Sequence, residues 1–301
     1  MPRLSVVVPV HNEAGNVVPL STEIVEVMTA IGRPFEVIFV NDGSTDATLA
    51  ELRAQAARQA CLRILDLDGN FGEAAALSAG FRAARGELVL TVDGDGQNDP
   101  HDFPRLLETL ERRGCRVVTG WRRERQQAGF MLRVLPSRVA NWLIAAVSGV
   151  CVHDNGCGTK VYRRDVVAQA ALPRGMNRFL PAIFGVAAAD VVEIPVNDRR
   201  REHGASHYGI SRTLVVLRDL LALRFMQRDP ERAERGWAVA VVVAAGVDLY
   251  GVWSQRGGVT LPASLVVMLG LLIWWNLRRF NAARTHGVCR VRREYSAVHG
   301  V

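Results

Sequence analysis

Glu87-Leu88-Val89-Leu90-Thr91-Val92-Asp93-Gly94-Asp95-Gly96-Gln97 is the stretch on which the fold of this chain turns. An apolar run of strand length passes directly into two carboxylates separated by one glycine. A continuous run of this kind reads as a strand buried on both faces, as parallel strands under helices do. Ligands of such sheets bind beyond the carboxyl ends of the strands. Polar residues directly after a strand are therefore the first place to look for chemistry. Two acids held by small glycines at such a point can grip a hard divalent cation, which prefers oxygen ligands and bridges diphosphate oxygens. A bare Asp-x-Asp is more often a loop former, and it is the strand in front that makes this one informative.

Outward from this stretch the same alternation repeats. Leu4–Val10 is an apolar run of strand type, and a helix is expected over Val17–Ile31. Phe35–Val40 is a second strand ending in Asn41-Asp42-Gly43-Ser44-Thr45-Asp46, with Asp46 placed to cap a helix over Ala47–Arg58. Leu62–Leu67, a helix over Gly72–Ala84, a helix near Phe103–Arg113 and a strand over Arg116–Thr119 complete the series. Such alternation predicts an α/β fold with a mostly parallel sheet flanked by helices. Three strand ends then deliver Asn12 with Glu13, Asp42 with Asp46, and Asp93 with Asp95 to one crevice.

The 301 residues allow one large domain and an appendage. The hydrophobic fraction of 49% is unevenly spread, and Trp237 to Leu277 is almost free of charge. Trp237–Trp253 and Val259–Leu277 are expected to be two transmembrane helices, with aromatic residues near their ends. Arginines crowd both flanks, which under the positive-inside rule puts both termini in the cytoplasm and the multi-pass chain in the inner membrane. Two further stretches, 131–149 and 210–228, read as amphipathic helices for the membrane interface. The expected division is a catalytic domain over 1–228, the helix pair within 229–277 and a basic cytoplasmic tail over 278–301. The net charge of +7 suits anionic lipid, and no nucleic-acid partner is expected, because no aromatic residues alternate with the arginines. Five scattered cysteines argue against a disulfide framework, and Leu4–Val10 is too short for a signal peptide.

Taken in order, Val7-Val8-Pro9-Val10-His11-Asn12-Glu13, Val40-Asn41-Asp42-Gly43-Ser44-Thr45-Asp46 and Asp93-Gly94-Asp95-Gly96-Gln97 resemble the family 2 glycosyltransferases, which have a GT-A (Rossmann-like) fold. Asp154-Asn155-Gly156-Cys157-Gly158-Thr159-Lys160 and Arg201-Glu202-His203-Gly204-Ala205-Ser206-His207-Tyr208-Gly209 are similar to the polyprenyl-phosphate sugar transferases within that family, the group of dolichol-phosphate mannose synthase. The resemblance covers about Leu4–Arg228. It implies that Pro9, Glu13 and Asp42 contact the nucleotide, and that Asp93 faces the nucleotide-sugar. It implies that Asp95 and Gln97, with Asp93, hold Mg²⁺ or Mn²⁺ on the diphosphate. The resemblance implies further that Arg122 lies near the phosphates, that Arg133 and Ser137 bind the acceptor phosphate, and that Arg201 and Ser206 belong to a loop closing over the donor and metal. Asp154 matches a position sometimes assigned as base.

The activity so implied is inverting transfer of a sugar from a UDP- or GDP-sugar to polyprenyl (undecaprenyl) phosphate. A phosphate monoester is already anionic near neutral pH and needs little help from a base, whereas arginine forks match its oxygens. The alternative base reading competes with a salt bridge from Asp154 to Arg163 or Arg164. Other functional readings are a different lipid or saccharide acceptor and an inactive nucleotide-binding scaffold. A homo-oligomer is expected from the paired tail helices.

Overall fold

The structure, a computed structural model of the 301-residue chain, describes residues 2–123, 145, 149–173, 175–199, 219, 222–223, 225–226, 229–254 and 257–297. Its centre is the set of strands that the apolar runs mark. β1 (Leu4–Val10), β2 (Phe35–Asn41), β3 (Leu62–Leu67) and β4 (Leu88–Thr91) run parallel in the spatial order β4-β1-β2-β3. All seven residues of β1 are buried, which is why it carries no alternation. Helices α1 (Val17–Ile31), α2 (Thr48–Arg58), α3 (Glu73–Ala83) and α4 (Phe103–Arg113) and strand β5 (Val117–Trp121) lie within two residues of their expected bounds. Asp46 lies one residue before the N-cap position, which Ala47 holds, and its Oδ1 accepts the Thr48 N–H at 3.0 Å at the start of α2.

Three strands lie outside the expected set. β6 (Lys160–Arg163) inserts antiparallel between β4 and β5, and β7 (Val191–Pro195) runs parallel to β5 at one edge. β8 (Val291–Ser296) lies antiparallel to β3 at the other edge and completes an eight-stranded sheet, β7-β5-β6-β4-β1-β2-β3-β8. Residues 278–301 are therefore not simply a basic tail, because part of that segment joins the central sheet. A polar network anchors it. Arg63 on β3 donates to Glu294 on β8 at 2.8 Å and pairs with buried Glu36 on β2, while Ser5 Oγ on β1 donates to Glu36 at 2.7 Å. Glu294 is only half-covered and Glu36 would keep Arg63 paired, so Glu294→Ala is expected to lower stability by about 1 kcal/mol. Urea unfolding measures this loss.

The sheet separates two apolar cores. On one face α1, α2 and α4 pack Ile24, Leu52, Leu106 and Leu110 against Val6, Val8 and Phe39. On the other, α3 packs Leu77 and Phe81 against Val7 and Val40, together with Phe179 and Leu180 at the start of α6 (Leu180–Ile183), a short helix after α5 (Arg164–Val167). The same core takes in Ile273, Leu277 and Phe280 from the C-terminal helices.

Those helices are α7 (Pro230–Trp253) and α8 (Gly257–His286), and they lie antiparallel. Asn281 Nδ2 donates to the Pro230 carbonyl at 3.0 Å and to Glu234 at 2.7 Å near one end. Farther along the pair, Ser264 Oγ donates to Asp248 at 2.7 Å, so Asp248 faces the partner helix. The expected pair of transmembrane spans, about 237–253 and 259–277, is not met in that form: among the described residues no helix is long and apolar enough to cross a membrane. Charge enters both helices, with Glu231, Arg232, Glu234 and Arg235 in α7 and Arg278, Arg279 and Arg284 in α8. Between those charges the pair presents apolar side chains to the outside, Val242 at 71%, Leu249 at 72% and Trp253 at 80% exposure among them. The expected interfacial helices over 131–149 and 210–228 fall almost wholly outside the described residues.

Candidate active site

β1, β2, β3 and β4 end along one edge of the sheet, and the polar loops after them are tied together there. His11 Nδ1 lies 2.8 Å from the Asp42 carbonyl oxygen, and its Nε2 lies 2.9 Å from Asn70 Nδ2. The Asn12 N–H donates to Ser44 Oγ at 3.0 Å, and Asn12 Oδ1 accepts the Thr45 N–H at 2.8 Å. Glu13 accepts from Asn16 Nδ2 at 2.7 Å, and its N–H donates to Thr48 Oγ1 at 2.8 Å. Asp42 is buried, and its carboxylate accepts the N–H groups of Phe71 (2.7 Å) and Gly72 (2.8 Å) in front of α3. Its two oxygens thus hold the loop that leads into α3. Glu73, the first residue of α3, follows directly, near enough to Asp93 for its charge to act on that carboxyl.

At the end of β4 the chain turns sharply under the two acids. A Cβ on Gly94 would come within 2.8 Å of the Pro9 carbonyl oxygen, so only glycine lets this loop cross the end of β1. The Asp93 N–H donates to Asn98 Oδ1 (3.1 Å), and Asp95 Oδ1 accepts the Gln97 N–H (3.1 Å). Burial, then the negative charges of Glu73 and Asp95, push the Asp93 carboxyl up to about 7 against the opposing pull of Arg122 and Lys160. An acid held near neutrality first by burial and then by neighbouring negative charge is what a bound dication relieves. The nearby Cys157 thiol is pushed up to about 11 by burial, so it stays protonated and does not compete as a soft ligand. The donor set is oxygen only, which fits Mg²⁺ or Mn²⁺.

Two buried cations face these acids. Arg122, just past β5, donates from Nε to Asp154 at 2.8 Å and from Nη2 at 3.1 Å, a two-pronged pair. Burial pushes the Asp154 carboxyl upward, but Arg122, with Lys160, outweighs it and holds the group below its ordinary value. Asp154 is thus paired with Arg122 rather than with Arg163 or Arg164, and a depressed carboxylate is a poor base. Glu193 on β7 accepts the N–H groups of His153 (3.0 Å) and Asp154 (2.9 Å), which fixes this turn. Lys160, the first residue of β6, is 4% exposed and donates to the carbonyls of Asn155 and Cys157.

Pro9, Glu13, Asp42, Asp93, Asp95, Gln97, Arg122 and Asp154 are therefore brought to one edge of the sheet. Arg133, Ser137, Arg201 and Ser206 lie outside the described residues. Sequence reasoning passed over Glu73 and Lys160. Lys160 ends the Asp154–Lys160 motif, and Glu73 opens the helix after β3, a position that in this fold points at the ligand edge. Glu23, Asp99 and His101 form a second group of potential ligands, but Arg199 bridges Glu23 (2.7 Å) and Asp99 (2.6 Å) and supplies the cation itself.

A parallel sheet carrying an acidic pair past its fourth strand is the architecture of GT-A transferases, and solved structures bear out the fold. Glucosyl-3-phosphoglycerate synthase from Mycobacterium tuberculosis, solved with Mn²⁺ and uridine-diphosphate-glucose, superposes with a TM-score of 0.56 at 18% identity, covering 75% of this chain and 79% of that one. The chain belongs to glycosyl transferase family 2, whose description matches residues 5–169. It is 45% identical over 229 residues to a dodecaprenyl-phosphate galacturonate synthase from Rhizobium johnstonii, covering 75% of this chain and 68% of the relative. It is 33% identical over 279 residues to an undecaprenyl-phosphate 4-deoxy-4-formamido-L-arabinose transferase from Edwardsiella ictaluri, covering 89% and 84%. Against the Pseudomonas paraeruginosa transferase of the same name the chain spans 64% of the relative's length.

Proposed function

We propose that this chain is an inverting, cation-assisted glycosyltransferase that moves a sugar from a nucleoside-diphosphate sugar to a polyprenyl phosphate. The observation that carries the reading is the gathering, at one sheet edge, of the acids Asp93, Asp95 and Glu73 within electrostatic reach of the buried cations Arg122 and Lys160. The relatives named for dodecaprenyl and undecaprenyl phosphate support the acceptor. A nucleoside-diphosphate hexuronate is the first donor to try, because the relative at 45% identity is named for galacturonate.

Asp95, with Asp93 and Gln97, would hold Mg²⁺ or Mn²⁺, which neutralises charge on the leaving diphosphate. Pro9, Glu13 and the loop shaped by Asp42 would seat the nucleotide. Arg122, kept in place by Asp154, offers fixed positive charge beside the phosphates. The acceptor phosphate, already anionic, attacks the anomeric carbon opposite the leaving group, with Arg133 and Ser137 as its proposed holders and Arg201 and Ser206 closing on the donor. The exposed apolar surface of α7 and α8 would lie in lipid, with Arg232, Arg235, Arg278, Arg279 and Arg284 at anionic headgroups.

Acceptor choice tests this. Purified chain is incubated with radiolabelled UDP- and GDP-sugars and vesicles carrying undecaprenyl phosphate or diacylglycerol. Label on undecaprenyl phosphate alone is expected. Label on diacylglycerol would sink the acceptor assignment.

A further inference from the structure

We propose that Lys160 is a positioning residue for the acidic pair, holding a glycine turn against Asp93 so that its carboxylate stays aimed into the crevice. This rests on the reading of the crevice as a nucleotide-sugar site. Lys160 sits in the middle of the sheet, with Thr91 of β4 and Thr119 of β5 as its register partners. Its side chain is 4% exposed, yet no carboxylate lies within ion-pair distance among the described residues. The ammonium instead donates to the Cys157 carbonyl and, at 3.5 Å, to the Asn155 carbonyl. A buried lysine satisfied only by carbonyls is costly for folding, and a methionine of similar length would pack there at no electrostatic cost.

What the lysine holds explains its presence. The turn it grips runs into Gly158, and a Cβ on Gly158 would lie 2.2–2.4 Å from the carboxylate atoms of Asp93. The α-carbon of Gly158 is therefore the wall against which Asp93 rests. A second tether pulls the same wall inward, the Thr91 Oγ1 donating to the Gly158 carbonyl at 2.6 Å. Asp93 has its own backbone fixed by Asn98, so the wall decides where its carboxylate points. If Lys160 lets go, the Asn155 and Cys157 carbonyls lose their anchor, the turn keeps only the Thr91 tether on its Gly158 side, and the backing of Asp93 loosens. Supports of this kind, one step behind a metal ligand, typically govern metal affinity by about 10- to 100-fold.

Lys160→Met and Gly158→Ala test the idea from two sides, since the second pushes on Asp93 without touching the lysine. Thermal midpoint, nucleotide affinity in EDTA and Mn²⁺-nucleotide affinity are measured by calorimetry on the full chain, using whichever of UDP or GDP the wild type binds. For Lys160→Met the thermal midpoint should hold or rise and affinity in EDTA should stay within about twofold, while Mn²⁺-dependent affinity falls about tenfold. Gly158→Ala should lose Mn²⁺-dependent affinity in the same selective way. The proposal is overturned if Lys160→Met binds Mn²⁺-nucleotide like the wild type, or if Gly158→Ala leaves that affinity intact. It is overturned equally if Lys160→Met loses thermal stability and EDTA-resistant binding together, the mark of a merely structural lysine. A wild type that binds neither nucleotide with Mn²⁺ would bring down the donor-site reading itself.

Discussion

Asp95→Asn is expected to cut sugar transfer by about 1,000-fold or more while the fold survives. The substitution keeps size and shape, and an amide oxygen can still accept the Gln97 N–H that Asp95 accepts at 3.1 Å. What it removes is a full negative charge from the place where a dication would neutralise the leaving diphosphate. Removing the Asp95 charge that acts on buried Asp93 should, if anything, ease folding, because the two like charges oppose one another. The thermal midpoint should therefore stay within about 2 °C of wild type or rise. Initial rates and a thermal melt on the same preparation check both parts.

Asp154→Ala is expected to act the opposite way, through stability first. Arg122 is buried and its guanidinium is matched by both Asp154 oxygens. Removing one partner strands a charge away from water, a loss of about 3 kcal/mol. The sign of its pH dependence follows from the depressed carboxyl of Asp154. The pair's contribution is present above an unfolded value near pH 4 and is lost as pH falls through the lower folded value. Chemical denaturation at pH 7 should show the full gap between wild type and variant, and at about pH 3 the gap should narrow. A general-base role would instead leave stability intact and remove the acid limb of the rate profile.

The parallel centre of the sheet was readable because its strands are buried on both faces and are mostly apolar, with Ser5, Glu36, Arg63 and Asp66 among the buried polar exceptions. Leu62–Leu67 was placed to the residue as a buried strand, and Val17–Ile31 as a helix whose apolar residues recur at helical spacing up to the glycine at its end. β6 gave no such mark. Four residues that include Lys160 and Arg163 have no period, and they form a strand only because the edges of β4 and β5 are there to receive them. β8 was hidden by its arginines, which point outward from an edge strand while Glu294 alone reaches the buried Arg63. In the site, acids directly after strands were legible, whereas partners set by tertiary approach were not. The joining of Arg122 to Asp154 needed the ends of β5 and the loop before β6 to meet. The wall that Gly158 makes for Asp93 could not be read from spacing at all, since the two residues are brought together only by β4 and β6.

The apolar pair of α7 and α8 shows a related limit. Hydropathy marked both segments, but the charges at their base are folded into the same helices, and Ile273, Leu277 and Phe280 are buried in the catalytic core. Flotation with anionic vesicles would show whether the remaining exposed surface takes up lipid.

The most direct test of the account is cation-dependent transfer by the purified full chain: radiolabelled nucleotide-sugar, undecaprenyl phosphate in vesicles, excess EDTA, then Mn²⁺ restored. The account predicts an acid-labile, organic-extractable label that vanishes with EDTA and returns with Mn²⁺. Label that persists undiminished in EDTA would contradict it.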